Sequence, residues 1–148
     1  MLLEETACEP YEKDYDLIDK PVRWAQLWNL STWVMLSADK GGRRLGGCIV
    51  AQGTCGIDLL EERTDIAALW DLRVCPRHRR EGIGAALFEA AVAWARERGC
   101  SMMNLETQNN NVPACRLYAS YGSELRSIKR GHYKNFPNET QLIWQKAL

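Results

Sequence analysis

Between an apolar run ending at Val74 and a helical pattern beginning at Ile83 lies a short basic loop, Cys75-Pro76-Arg77-His78-Arg79-Arg80-Glu81-Gly82. Its flanks fix the architecture around it. Ile66 to Val74 reads as a buried strand, and Pro76 stops it because proline cannot continue the ladder. From Ile83 to Arg98 the residues Ile83, Leu87, Ala90 and Trp94 recur at helical spacing, Arg96 and Arg98 fall in the last turn, and Gly99 supplies the stop. Ser101 to Glu106 follows as a second strand. Strand, helix, strand at this spacing is a βαβ unit, so the two strands run parallel and the fold is α/β.

The rest of the chain extends that unit. Trp33–Leu36 and Leu45–Ala51 are apolar and β-prone, and Ala38-Asp39-Lys40-Gly41-Gly42 has turn chemistry, which predicts a hairpin. A second helix starts near Asn111-Val112-Pro113, puts Ala114, Leu117, Tyr118 and Tyr121 on one face, and ends at Gly122. Two more strands are expected around Leu125–Ile128 and Gln141–Trp144, bridged by the polar stretch Gly131–Thr140. Residues 1–31 mix acidic and aromatic positions and then place Pro21 where the first turn of a helix begins.

The 148 residues suit one domain with its own core, 1–148, divided into a short N-terminal helical region (1–31) and a sheet (32–148). Nineteen basic residues balance nineteen acidic ones, which disfavours nucleic acid or an anionic membrane as partner. The six cysteines form no C-x-x-C pair and read as reduced core residues. The start, Met1-Leu2-Leu3-Glu4-Glu5, has no basic segment followed by an apolar stretch, and no apolar run is long enough to span a bilayer, so a cytoplasmic protein is expected. His78 and His132 are isolated and expected to be solvent-exposed, and no metal site is expected.

The loop itself is built to hold an anion. A helix N-terminus offers unpaired N–H groups and the positive end of its dipole, while Gly82 and Gly84 let a phosphate approach the backbone. Arg79 and Arg80 add charge-assisted donors of the kind a diphosphate uses. Neither the P-loop pattern nor the dinucleotide fingerprint is present. Arg79, Gly82 and Gly84 instead match R-x-x-G-x-G, and the chain resembles the GNAT superfamily of acetyl-CoA-dependent N-acetyltransferases at this signature. A second resemblance lies thirty residues on, where Asn111, Ala114, Tyr118 and Gly122 follow the family's N-x-x-A-x-x-x-Y helix and its closing glycine. More narrowly, Leu69–Val74 and Glu106–Cys115 are similar to the streptothricin acetyltransferase subgroup.

This resemblance, over roughly Thr32 to Trp144, implies the GNAT fold: a mixed, mostly antiparallel sheet splayed around an acetyl-CoA cleft, with flanking helices. It implies a co-substrate site made by Leu72, Val74, Arg79, Arg80, Gly82, Ile83, Gly84, Ala85 and Asn111. Direct transfer to a primary amine is expected, with Tyr118 protonating the departing thiolate and Tyr121 in reserve. Asp71 is expected as the base, against a plain ion pair with Arg73; Asp58, Asp65 and Glu106 are further groups that could attract a cation. The implied acceptor is a small-molecule amine, such as a streptothricin-type antibiotic. Protein N-terminal or lysine acetylation, and a non-catalytic acyl-CoA sensor, are the competing readings. Homodimers are common in the family. The chain departs from it in a short stretch before the hairpin and in Gly122-Ser123, where the family often has Gly-Phe.

Overall fold

The computed structural model describes residues 3–148; Met1 and Leu2, the first residues of the expected leaderless start and domain, lie outside the described residues. Six strands form one sheet in the order β1-β2-β3-β4-β6-β5: β1 (Val34–Lys40), β2 (Arg43–Gln52), β3 (Ile66–Val74), β4 (Met102–Gln108), β5 (Glu124–Arg130) and β6 (Thr140–Ala147). Only β3 and β4 pair in parallel; every other pair is antiparallel. This is the mostly antiparallel α/β sheet the sequence predicts. The hairpin is longer than expected, since Ala38, Asp39 and Lys40 continue β1 and the chain reverses at Gly41-Gly42.

Four helices accompany the sheet: α1 (Tyr15–Ile18), α2 (Trp24–Leu27), α3 (Ile83–Glu97) and α4 (Val112–Ser120). The N-terminal region thus holds only two single-turn helices, with Pro21 opening the 3-10 turn that leads into α2. The long helix α3 buries Leu87, Phe88, Ala91, Val92 and Ala95 against Val50, Ala67, Leu69, Met103 and Leu105 of the sheet; of the expected stripe Leu87 is buried, Ile83 and Trp94 are half-buried and Ala90 is exposed, because the buried face is turned about one residue on. Pro113 stands in the first turn of α4, and Gly122, at φ 72°, closes it: Gly122 N donates to Ala119 O at 3.0 Å and Ser123 N to Tyr118 O at 3.0 Å, a Schellman motif. Ser123 is buried, and its Oγ has no partner among the described residues.

The opposite face of the sheet carries a second core of Ala51, Ile57, Leu60, Ile66 and Ala68. Four indoles cover it. Trp24, Trp28, Trp33 and Trp70 meet with ring centroids 5.1–6.3 Å apart, which fastens the short N-terminal helices to β1 and β3. All six cysteines are free, but only Cys48 and Cys100 are fully buried; Cys8 and Cys55 are exposed, because both sit in irregular segments away from the sheet.

Candidate active site

The parallel strands part where the site begins. Pairing between β3 and β4 covers only Ile66–Leu69 against Met102–Leu105, while β2 and β6 hold the outer edges of both strands further on. Beyond Leu69 and Leu105 the sheet is therefore open between its two parallel strands, the switch point at which α/β sheets bind ligands. Cys75 N donates to Leu45 O at 2.7 Å, toward β2. Backbone groups alternate sides along a strand, so Leu72 and Val74 turn their N–H groups the other way, into the opening.

A one-residue bulge divides the roles of β3. Ile49 pairs with Asp71 and Val50 with Leu69, which leaves Trp70 as the extra residue. Ala67 and Leu69 before it, and Leu72 and Val74 after it, all pack in the core beneath α3, although their parities differ. Trp70 joins the second core, and Asp71 and Arg73 are left on that same face.

The basic loop crosses from β3 to α3. Pro76–His78 form a 3-10 turn, Arg80 has φ 64°, and Gly82 has φ 81° as the residue preceding the helix. No side chain caps α3, and its first closing bond runs from Ala86 N to Gly82 O at 3.0 Å, so the N–H groups of Ile83, Gly84 and Ala85 have no intrahelical acceptor. Arg79 and Arg80 are exposed beside them. A Cβ on Gly84 would stand 3.7 Å from Val74 Cγ2 and 3.9 Å from Leu72 Cδ2, which places the helix start directly over the two strand residues expected to act with it. Asn111 caps α4, its side-chain oxygen accepting from Ala114 N at 3.4 Å.

Tyr118 is 6% exposed, its ring packed between Phe88 and Trp144, and its hydroxyl bonds to no described residue. Burial pushes its pKa well up, and the charges of Cys115 and Asp71 add to the rise. Tyr121 donates to Glu89 Oε1 at 2.6 Å on the outer surface of α3, which leaves it no free proton for the opening. Asp71 does make the ion pair with Arg73, at 2.9 Å, and Arg73 also holds Asp16 at 2.6 Å. Burial nonetheless outweighs Arg73 and raises the Asp71 carboxyl above the ordinary carboxylate value.

On the face away from α3 a cleft of about 370 Å³ is lined by Trp28, Trp70, Asp58, Glu61, Asn104 and Glu106. The buried Nε1 of Trp70 has no hydrogen-bond partner among the described residues. Asp58 and Glu106 are therefore at the cleft as expected, but Asp65 is not. It lies before β3, near the end where β4 starts, and is held down to about 2 by Arg63 and Ser101, its bonding partners at 2.7–2.9 Å and 2.6 Å. His132 is exposed at the rim of the cleft, whereas His78 is half-buried against Glu81 at 3.3 Å. Among the described residues no group of three or more His, Cys, Asp or Glu side chains is placed to hold a metal.

The sequence reading passed over a third group. Glu139, in the β5–β6 connection, is only 4% exposed and takes Lys13 as its ion-pair partner, with Tyr11 donating at 3.0 Å and Asn110 at 3.3 Å. Tyr133, from the same connection, donates to Glu106 Oε1 at 2.5 Å. These partners are separated by up to 128 positions and carry no local pattern.

The fold agrees with what the comparisons find. The Acetyltransferase (GNAT) family model matches residues 2–122. The chain belongs to the acetyltransferase (GNAT) family, a class of acetyl-CoA-dependent N-acetyltransferases. Within it the chain resembles the streptothricin acetyltransferase subgroup: it is 32% identical over 145 residues to a streptothricin acetyltransferase of Escherichia coli, covering 96% of this chain and 74% of that protein. A ribosomal protein bS18-alanine N-acetyltransferase of Escherichia coli K12 is 35% identical over 69 residues, 47% of each chain. Among solved structures, one titled as a putative streptothricin acetyltransferase from Bacillus anthracis in complex with acetyl coenzyme A shares the fold, with a TM-score of 0.68 and 24% identity over 79% of this chain; this chain spans 63% of its length.

Proposed function

We propose that the protein transfers the acetyl group of acetyl-CoA directly to a primary amine of a small molecule, with a streptothricin-type antibiotic as the acceptor. One observation carries this reading. The opening between β3 and β4 has an anion-binding helix start on one side and a cleft of carboxylates and indoles on the other. A phosphate-bearing acyl donor suits the first, and an alkylammonium the second. The 96% coverage of this chain by the streptothricin acetyltransferase match supports the acceptor.

The residues present fit the donor. The free N–H groups of Ile83, Gly84 and Ala85, with Arg79 and Arg80, take the pyrophosphate, and Gly82 keeps that surface clear. The N–H groups of Leu72 and Val74 hold the pantetheine arm and polarise the acyl carbonyl, and Asn111 contributes its amide N–H₂. When bound, acetyl-CoA supplies the acetyl group as an activated thioester. Glu106 and Asp58 orient the incoming ammonium, and Asp71, with its raised pKa, accepts the ammonium proton. Tyr118 delivers a proton to the departing sulfur from a hydroxyl that no described residue engages. Burial pushes the Cys115 thiol up, which keeps it protonated and favours direct transfer over a cysteine nucleophile.

The same reading takes residues 1–148 as one catalytic domain in the cytoplasm that uses no metal, with a second copy of the chain as a candidate partner; among the described residues no helix is long and apolar enough to cross a membrane. A protein-amine acceptor is the second reading, supported by the shorter match to a ribosomal-protein acetyltransferase. Thiol release from acetyl-CoA across streptothricin, free lysine, polyamines, aminoglycosides and N-terminal peptides separates the two. Turnover on streptothricin supports the first, turnover confined to peptides selects the second, and acetyl-CoA binding without turnover leaves a sensor.

A further inference from the structure

Lys13 occupies a site that looks outsized for an ion pair in a strand-free, helix-free segment. Its ammonium lies 4.3 Å from the ring centroid of Phe136, 5.0 Å from Tyr15 and 5.5 Å from Tyr133, and it contacts Glu139. The Lys13 side chain is 9% exposed and the Glu139 side chain 5%. Three aromatic faces and a desolvated carboxylate are the means by which proteins recognise alkylammonium ions. The box also shares a wall with the cleft, because Tyr133 donates to Glu106, which lines it, and Tyr15 reaches Gln108 at 3.3 Å on the same strand.

The chain that delivers Lys13 is held lightly. Residues 3–14 form no helix or strand, and apart from the Lys13–Glu139 pair their side-chain ties are Tyr11 to Glu139, the exposed Arg116–Glu5 pair and the Asp14 cap of α1. The exposed Arg116–Glu5 pair adds little to this hold, so the cost of releasing Lys13 is that of its buried pair with Glu139, which an incoming ammonium replaces. Emptied of Lys13, the box would present one negative charge and three ring faces to the cleft that receives the acceptor.

We propose that Tyr15, Tyr133, Phe136 and Glu139 form a second ammonium subsite, with Lys13 as its resident, and that an acceptor carrying two aliphatic amines displaces Lys13 with the amine that is not acetylated. This rests on the amine-transfer reading above and narrows its substrates to flexible diamines and polyamines. Lys13 then sets the threshold: a monoamine binds beside it, whereas a diamine exchanges with it.

Two measurements on the full chain test this separately. In the first, Lys13→Met removes the resident, and thermal melting follows added propylammonium. A saturable rise in melting temperature is expected, at least about tenfold weaker with tetramethylammonium, which has no N–H for Glu139, and absent when Glu139→Gln is added. No saturable rise in a folded Lys13→Met protein overturns the subsite. In the second, the KM ratio of pentylamine to 1,5-diaminopentane is measured with acetyl-CoA. A ratio of about ten or more is expected, collapsing toward one in Glu139→Gln and falling in the milder Phe136→Leu, which keeps apolar volume should the charge change upset folding. An unchanged ratio in both variants also overturns the proposal. Propylammonium binding to Lys13→Met with no amine turned over would sink the transferase reading and leave the subsite standing.

Discussion

Replacing Tyr118 by phenylalanine should lower activity while leaving stability nearly unchanged. The ring stays against Phe88 and Trp144, at 5.8 and 6.3 Å between centroids, so packing is kept. What is lost is a hydroxyl that sits in a residue 6% exposed and bonds to no described group. The hydroxyl is not among the fully buried polar atoms that lack a partner, so it keeps contact with solvent and its removal should change stability by no more than about 0.5 kcal/mol. For a chain of 148 residues this leaves the melting temperature within about 2 °C of the native value. The same hydroxyl, acting as general acid, is worth roughly 10²–10⁴ in turnover. Thermal melting, calorimetric titration with acetyl-CoA and steady-state thiol release should then show an unchanged Tm, a Kd within about twofold, and kcat down by about a hundredfold or more. Native turnover would remove Tyr118 as the acid. A Tm lowered by more than about 5 °C would show that the hydroxyl is held by the fold after all.

Three other perturbations probe neighbouring parts. Gly82→Trp places an indole at the helix start where φ is 81°; strain of about 1–2 kcal/mol and loss of acetyl-CoA binding by calorimetry are expected in a folded protein, and native affinity would refute the loop assignment. A Cβ on Gly46 would come within 2.7 Å of the Arg73 carbonyl and 3.3 Å of Ile83 Cγ2, so Gly46→Ala should cost about 1–3 kcal/mol in urea denaturation and weaken acetyl-CoA binding with it. Because burial raises the Asp71 carboxyl, the base is lost as pH falls through a value above the ordinary carboxylate one, and the acid limb of kcat/KM should lie there and vanish in Asp71→Asn. The raised value also means that the folded protein binds this proton more tightly than the unfolded chain, so the stability contributed by Asp71 falls as pH rises through the same window.

The elements that carry a strong local period were legible. β3 occupies Ile66–Val74 and α3 starts at Ile83 as the sequence predicts, since an apolar run ended by proline and an apolar stripe ended by glycine each leave few alternatives. The glycine at the end of α4 and the proline at its start were equally informative. Three kinds of feature were not readable. The bulge at Trp70 depends on how β2 pairs, which no residue in β3 announces. Asp65 looks like any other carboxylate near the cleft until the parallel pairing of Ile66 with Met102 puts it at the wrong end. The ammonium box joins Lys13 to Glu139 across 126 positions, and its parts sat in stretches that sequence composition describes only as polar and acidic.

The extra residue in β3 also acts as a counting device. Everything on its C-terminal side, Leu72 and Val74 under α3 and Asp71 and Arg73 on the other face, owes its orientation to one inserted position. Removing Trp70 would not merely take away a side chain. It would also remove the bulge: Asp71 would follow Leu69 directly in an unbroken alternation, which keeps Leu72 and Val74 beneath α3 and Asp71 and Arg73 on the other face. Forcing all nine residues of β3 into a regular ladder, by contrast, would turn Leu72 and Val74 out to water and drive Asp71 and Arg73 into the space beneath α3.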